Sequence, residues 1–198
     1  MKKRELQGIE TKKRIIECAR RLFKEKGFNR TSVNDIIKEA NSSKGGFYTH
    51  FKTKEELLFN MVPLVDEVYD LFLKMDTKSE NVVDKITMFI QYVFKTITDE
   101  IGLEFISTIY ASQIKDLKTE RFLIASERTY YVVLEKLIEE GKAKNEIKSE
   151  VITKDAIDIF TTCFRGAIYD WCLQKGEFNL DEYGGKIMDI MLNHIKSD

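Results

Sequence analysis

The stretch TSVNDIIKEANSSKGGFYTHFKTK, Thr31 to Lys54, constrains the fold of this chain most tightly, because its pattern reads as two short helices around a polar turn. Val33, Ile36, Ile37 and Ala40 recur at helical spacing and are expected to face inward, with Thr31 placed to cap their helix. The second helix is predicted to start at Ser42 or Ser43 and to end near Phe51. Phe47 and Phe51 form its inward i,i+4 pair. At about 100° per residue, Gly45, Thr49 and Lys52 then fall on the opposite face. Lys44 and Tyr48 flank that face on one side, Gly46 and His50 on the other.

Paired glycines inside a helix cost about 1 kcal/mol each relative to alanine. Gly45 and Gly46 therefore mark either a close approach of the backbone to another body or a loop with a later helix start. Upstream, Ile15, Ile16, Ala19, Leu22 and Phe23 share one face of a helix predicted over about 10–26, with Gly27 as its C-cap. Lys12, Lys13, Arg20, Arg21 and Lys24 populate its other faces. Downstream, Thr53 and Glu56 have capping-box spacing at the start of a fourth helix. Residues 1–60 hold 15 basic and 8 acidic side chains, the remainder 17 and 25, so the near-zero total hides a basic head on an acidic body. That asymmetry implies one polyanion-binding surface. A helix with short groups at its centre and hydrogen-bonding groups at its margins suits a DNA major groove about 12 Å wide.

The same segment resembles the amino-terminal helix-turn-helix of the TetR/AcrR family of bacterial transcriptional regulators. The resemblance rests on Thr31, Ile36, Ala40, Ser43, Gly45, Phe47, Tyr48, His50, Phe51, Lys54 and Leu57 at fixed spacing, within residues 11–58. The chain departs from the family at Ile37 for alanine, Asn41 for the turn glycine, Ser42 for valine, and Gly46 where a base-reaching side chain is common. The resemblance implies a DNA-binding domain over 1–52 and an effector-binding, dimer-forming helical domain over 53–198, with the helix from Thr53 as connector. Lys44 and Thr49 are the candidates for base edges. Tyr48, His50 and Lys54 are candidates for phosphates, with Ser43 and Thr31 adding contacts from the caps. Tyr48 packed on the first helix and His50 in a structural hydrogen bond are the competing assignments.

The remainder reads as helix over roughly 64–75, 80–98, 100–114, 117–140, 151–175 and 180–196, with Pro63 expected to kink or divide the connector. The fold class is therefore all-α. A pocket between these helices is expected, and Gln91, Glu104, Phe105, Gln113, Phe164, Arg165 and Trp171 are the candidate effector contacts. The acidic body favours a cationic or amphipathic effector, whereas its aromatics also suit an acyl chain or hydrophobic metabolite. Residues 156–173 and the stripe Ile187, Ile190, Met191 and Ile195 predict a homodimer through about 151–175 and 180–196.

Cys18, Cys163 and Cys172 lack metal-ligand spacing, and no cofactor motif is present. MKKRELQGIETKKR carries no apolar segment of a secretory signal, and no apolar run reaches membrane-spanning length. A cytoplasmic protein without a membrane partner is expected. An enzyme is disfavoured because HExxH, GxSxG, a phosphate-binding glycine loop and paired carboxylates are all missing. The remaining alternative is an effector-independent architectural DNA-binding protein.

Overall fold

The computed structural model describes residues 3–75, 79–115 and 121–197. Among the described residues it is all-helical, apart from one isolated antiparallel bridge between Ile147 and Lys196. The helices are α1 (Lys3–Lys26), α2 (Val33–Glu39), α3 (Lys44–His50), α4 (Lys54–Phe72), α5 (Val82–Thr96), α6 (Leu103–Lys115), α7 (Thr129–Ala143), α8 (Thr153–Leu173) and α9 (Leu180–Ile195).

Several boundaries differ from expectation. The first helix starts at Lys3, so the charged amino terminus continues α1 from that residue. The fourth helix is continuous through Pro63; proline forgoes one i→i−4 bond, and the flanking bonds carry the helix across it. The long helix expected from 117 begins only at Thr129, after a 3-10 turn at Phe122–Ile124, and residues 116–120 lie outside the described set. Five π-helical residues, Ile97–Ile101, follow α5, and Gly102 (φ 83°) separates them from α6.

The chain forms two compact units. One comprises Met1–Leu64 with Glu104–Leu117, the other Val65–Leu103 with Lys118–Asp198, so α6 belongs to the same unit as α1–α3. The second unit has a core of buried Ile86, Phe89, Phe94, Ile138 and Phe160, with α9 packed on both α5 and α8. Contact of α9 with α5 requires Gly184, because a Cβ there would overlap the ring of Phe94, which itself stacks on Phe164 with centroids 4.6 Å apart. Gly184→Ala is expected to lower stability by about 1–3 kcal/mol through overpacking. Alanine's helix preference of about 1 kcal/mol works in the opposite direction, so the sign is informative. Urea unfolding showing an unchanged or raised midpoint would mean that Phe94 yields freely.

Candidate nucleic-acid interface and effector cavity

The turn geometry of the first unit explains how α3 is presented. Ser32, rather than Thr31, caps α2: its hydroxyl accepts from Asp35 N while the Asp35 carboxylate accepts from Ser32 N at 2.8 Å. That bonding with Ser32 holds the exposed Asp35 carboxyl below the usual carboxylate range. Asn41 takes the left-handed conformation (φ 44°) expected of a glycine substitute. From α1, Arg14 Nε donates to the Ala40 carbonyl at 2.8 Å, closing the carboxyl end of α2, and Arg21 pairs with Glu39. These two arginines carry no motif, and their partners lie outside their own helix.

The Ser43 hydroxyl caps α3, accepting from Gly46 N at 2.9 Å. Phe47 and Phe51 are fully buried with ring centroids 5.6 Å apart, so the inward register holds. Lys44, Gly45, Tyr48, Thr49 and Lys52 are exposed, and Gly46 and His50 are half-buried. The two glycines have different reasons. A Cβ on Gly46 would stand 2.8 Å from Ser42 Oγ and 3.2 Å from Ser43 Oγ, so a side chain there would require the Ser42 hydroxyl to turn away. A Cβ on Gly45 would meet only Ser43 Oγ, at 4.0 Å, leaving its face open. Thr49 Oγ1 donates to the Gly45 carbonyl at 2.8 Å. Tyr48 meets Phe47 edge-on at 5.3 Å and stays 47% exposed, so it is not packed away on α1. His50 lies 3.8 Å from the Cβ position of Gly8, facing α1.

One expected surface contact is corrected, and a second is seen to have partners within the chain. Thr31 is buried, and its hydroxyl donates to the carbonyl of Gly27 at 2.8 Å, which removes it from the surface. Lys54 Nζ donates to the carbonyls of Phe28 (2.7 Å) and Thr31 (3.0 Å) and stands 4.1 Å from the centroid of the Phe28 ring. Two of its three donors therefore brace the α1–α2 turn.

In the second unit an apolar cavity of about 20 Å³ lies among Phe89, Ile90 and Val93 of α5, Tyr130 and Leu134 of α7, Phe160, Thr161 and Phe164 of α8, and Met188 of α9. That is room for about one water-sized group, far below the roughly 300 Å³ of a small-molecule site. Of the expected effector contacts, Phe164 alone lines it. Arg165 stands close by: its Nη1 donates to Tyr131 Oη at 2.9 Å, and Tyr131 packs on Tyr130. The other expected contacts lie elsewhere in the fold. Gln91 points to solvent. Glu104, Phe105 and Gln113 lie on α6 in the first unit, where the Glu104 carboxylate accepts from Asn29 N. Trp171 is buried, but its Nε1 donates to the Phe178 carbonyl at 3.1 Å and secures the α8–α9 turn. Beside it, burial pushes the Cys172 thiol up to about 11, keeping it protonated and unreactive at neutral pH.

The outer face of α8 and its cap carry Ile152, Ile159, Gly166 and Leu173 at seven-residue spacing, all exposed, with exposed Tyr169 beside them. Tyr183 and Ile190 are exposed on α9, whereas Ile195 turns into the chain's own core, correcting its place in the expected stripe. No helix of the described residues is long and apolar enough to cross a membrane.

Comparison with known proteins adds to this geometry. Residues 15–61 match the family model described as bacterial regulatory proteins, tetR family, and residues 60–194 match that of the YsiA-like protein, C-terminal region. The chain is 44% identical over 73 residues to the uncharacterized HTH-type transcriptional regulator YuxN of Bacillus subtilis, covering 36% of this chain. It spans 25% of that relative's own length, 18% of a second such regulator, YerO, and 65% of a third, YdgC. A TetR-family transcriptional regulator from Pectobacterium atrosepticum shares the fold with a TM-score of 0.78 at 15% identity, over 100% of this chain and 99% of the other. The regulator FadR of Bacillus subtilis in complex with stearoyl-CoA gives a TM-score of 0.70 at 17% identity, covering 92% and 98% of the two chains.

Proposed function

Because this chain belongs to the tetR family of bacterial regulatory proteins, a family of ligand-responsive helix-turn-helix transcriptional regulators, we propose that it is a repressor that binds a palindromic operator as a homodimer. A small hydrophobic or amphipathic effector releases it. The observation carrying the DNA assignment is the exposed face of α3, where Lys44, Gly45, Tyr48 and Thr49 are exposed on a basic unit, with exposed Lys52 just past the helix end. The open Cβ position of Gly45 lets the backbone itself approach the groove. Lys44 and the methyl of Thr49 are assigned to base edges, and Tyr48, His50 and the Ser43 cap to phosphates. Each subunit reads one half-site.

The heptad-spaced stripe on α8, with Tyr183 and Ile190 on α9, supports a two-fold seam of four helices. The cavity must widen to hold an effector. Its walls are apolar, and Arg165 flanks the Tyr130–Tyr131 pair. That favours an apolar body with an anionic or hydrogen-bond-accepting head over the cationic compound suggested by the acidic body. The stearoyl-CoA bound by the Bacillus subtilis FadR has that character.

Selection from a random duplex pool tests the assignment: an inverted repeat should emerge. Enrichment without any motif would favour the effector-independent architectural alternative, and no enrichment would end the DNA reading. With that site in hand, Lys44→Ala is expected to relax discrimination at one base pair per half-site by about 1–3 kcal/mol. Tyr48→Phe should weaken all sequences alike. Recovery of an unchanged motif by the Lys44 variant would move base readout to other residues.

A further inference from the structure

Asp66 on α4 and Arg128 at the amino end of α7 form a forked ion pair, with Arg128 Nη2 to Asp66 Oδ1 at 2.9 Å and Arg128 Nε to the same oxygen at 3.2 Å. The side chains are only 11% and 20% exposed, for arginine and aspartate respectively. Burial works against the arginine's charge, but Asp66, with Tyr69 and Tyr130, outweighs it, so its proton is held more tightly than usual. A buried pair of this kind adds little net stability over apolar packing of the same shape, but it is demanding in direction.

Its surroundings indicate what that direction is used for. The Arg128 guanidinium lies 5.0 Å from the centroid of the Tyr130 ring. Tyr130 is a wall of the cavity, stacks on Phe164 at 6.2 Å, and meets Tyr69 of α4 edge-on at 6.3 Å. Anything that presses on Tyr130 from the cavity therefore bears on two attachments of α4, the apolar one at Tyr69 and the directional one at Asp66, beside the further apolar one of Phe72 on Phe89 and Tyr92. Apolar contact tolerates sliding, whereas a two-bond fork does not. At its other end α4 carries Lys54, which holds the turn leading into α2 and α3.

We propose that the Asp66–Arg128 pair is the positioning contact through which occupancy of the Tyr130 cavity is transmitted to α4. This rests on the regulator reading above for its consequence on DNA, but not for the transmission itself. Neither residue touches DNA or lines the cavity; both act through their neighbours.

A wedge can stand in for the unidentified effector. Thr161 is buried, lines the cavity, and there is little room beside it, so Thr161→Phe should displace Tyr130; Thr161→Leu is the milder wedge should phenylalanine prevent folding. The uncoupled background is Asp66→Leu with Arg128→Met, which keeps apolar packing and removes the fork. Two quantities are read on the full chain: affinity for the selected duplex, and amide hydrogen exchange across 54–72. In the native background the wedge should weaken duplex binding at least fivefold, at the low end of typical allosteric coupling, and accelerate exchange in α4. In the uncoupled background both responses should shrink, the affinity change to within about twofold. Equal responses in the two backgrounds, or no exchange response to either wedge in the native one, would overturn the proposal. If the native chain selects no duplex, the regulator reading fails, while the exchange arm still decides whether the pair couples cavity to helix.

Discussion

Aspartate at both Ile159 and Ile190 is expected to turn a dimer into monomers and to abolish tight operator binding. The two side chains are 48% and 70% exposed on adjacent helices. Burying an isoleucine contributes about 1.5–3 kcal/mol, and a two-fold axis presents each one twice. Four carboxylates would replace four apolar groups across one seam, so the dimer constant should weaken by more than about a thousandfold, or 4 kcal/mol. Sedimentation at micromolar concentration should show the native protein at twice the 23.2 kDa chain mass and the variant at that mass. The variant's helix content should be unchanged, because neither position contributes to the chain's own core. A native monomer would remove the seam, and a variant that still dimerises would place it on another face.

The second large effect is expected from Lys54→Met. Its ammonium donates to two carbonyls of the Phe28–Thr31 turn and stands over the Phe28 ring. Hydrogen bonds to a charged group contribute roughly 1.5–3 kcal/mol each, so losing both, even in a partly exposed setting, should cost the first unit about 2–4 kcal/mol. Methionine keeps the helix and the stem packing, so the loss reports the ammonium. Operator affinity should fall for every sequence, with the dependence on salt nearly unchanged. A direct phosphate contact behaves differently: its removal lowers the salt slope by about 1 per lost contact and leaves stability alone. Binding isotherms over a salt series, with thermal melts alongside, separate the two. A lowered slope with an unchanged melt would return Lys54 to the phosphates.

Much of the first unit was legible because its signals are local. The inward pair Phe47 and Phe51, the cap at Ser43 and the left-handed Asn41 each follow from a few adjacent residues. Thr31 was misjudged, and the partners of Lys54 were missed, for one shared reason: a hydroxyl or an ammonium in a motif looks free until the chain folds back. Lys54 meets Phe28 from 26 residues away, and no periodicity records that distance. The expected effector contacts are scattered for the same reason. Gln91, Glu104 and Gln113 are polar residues in apolar surroundings, but a helix has several faces and sequence does not say which one meets a cavity.

By itself, the amino-acid sequence determined the all-helical class, the two-helix head with its outward and inward faces, and the split between basic and acidic parts. Helical periodicity and capping act over about four residues, so the chain states them directly. Only the tertiary structure decided that α6 joins the head unit, that Ile190 turns outward while Ile195 turns in, and that Gly184 is required by Phe94. It alone brought Arg128 to Asp66 across 62 residues and set both beside the cavity. Those pairings depend on how whole helices pack, which is fixed by shape and burial summed over many side chains and written in no single segment.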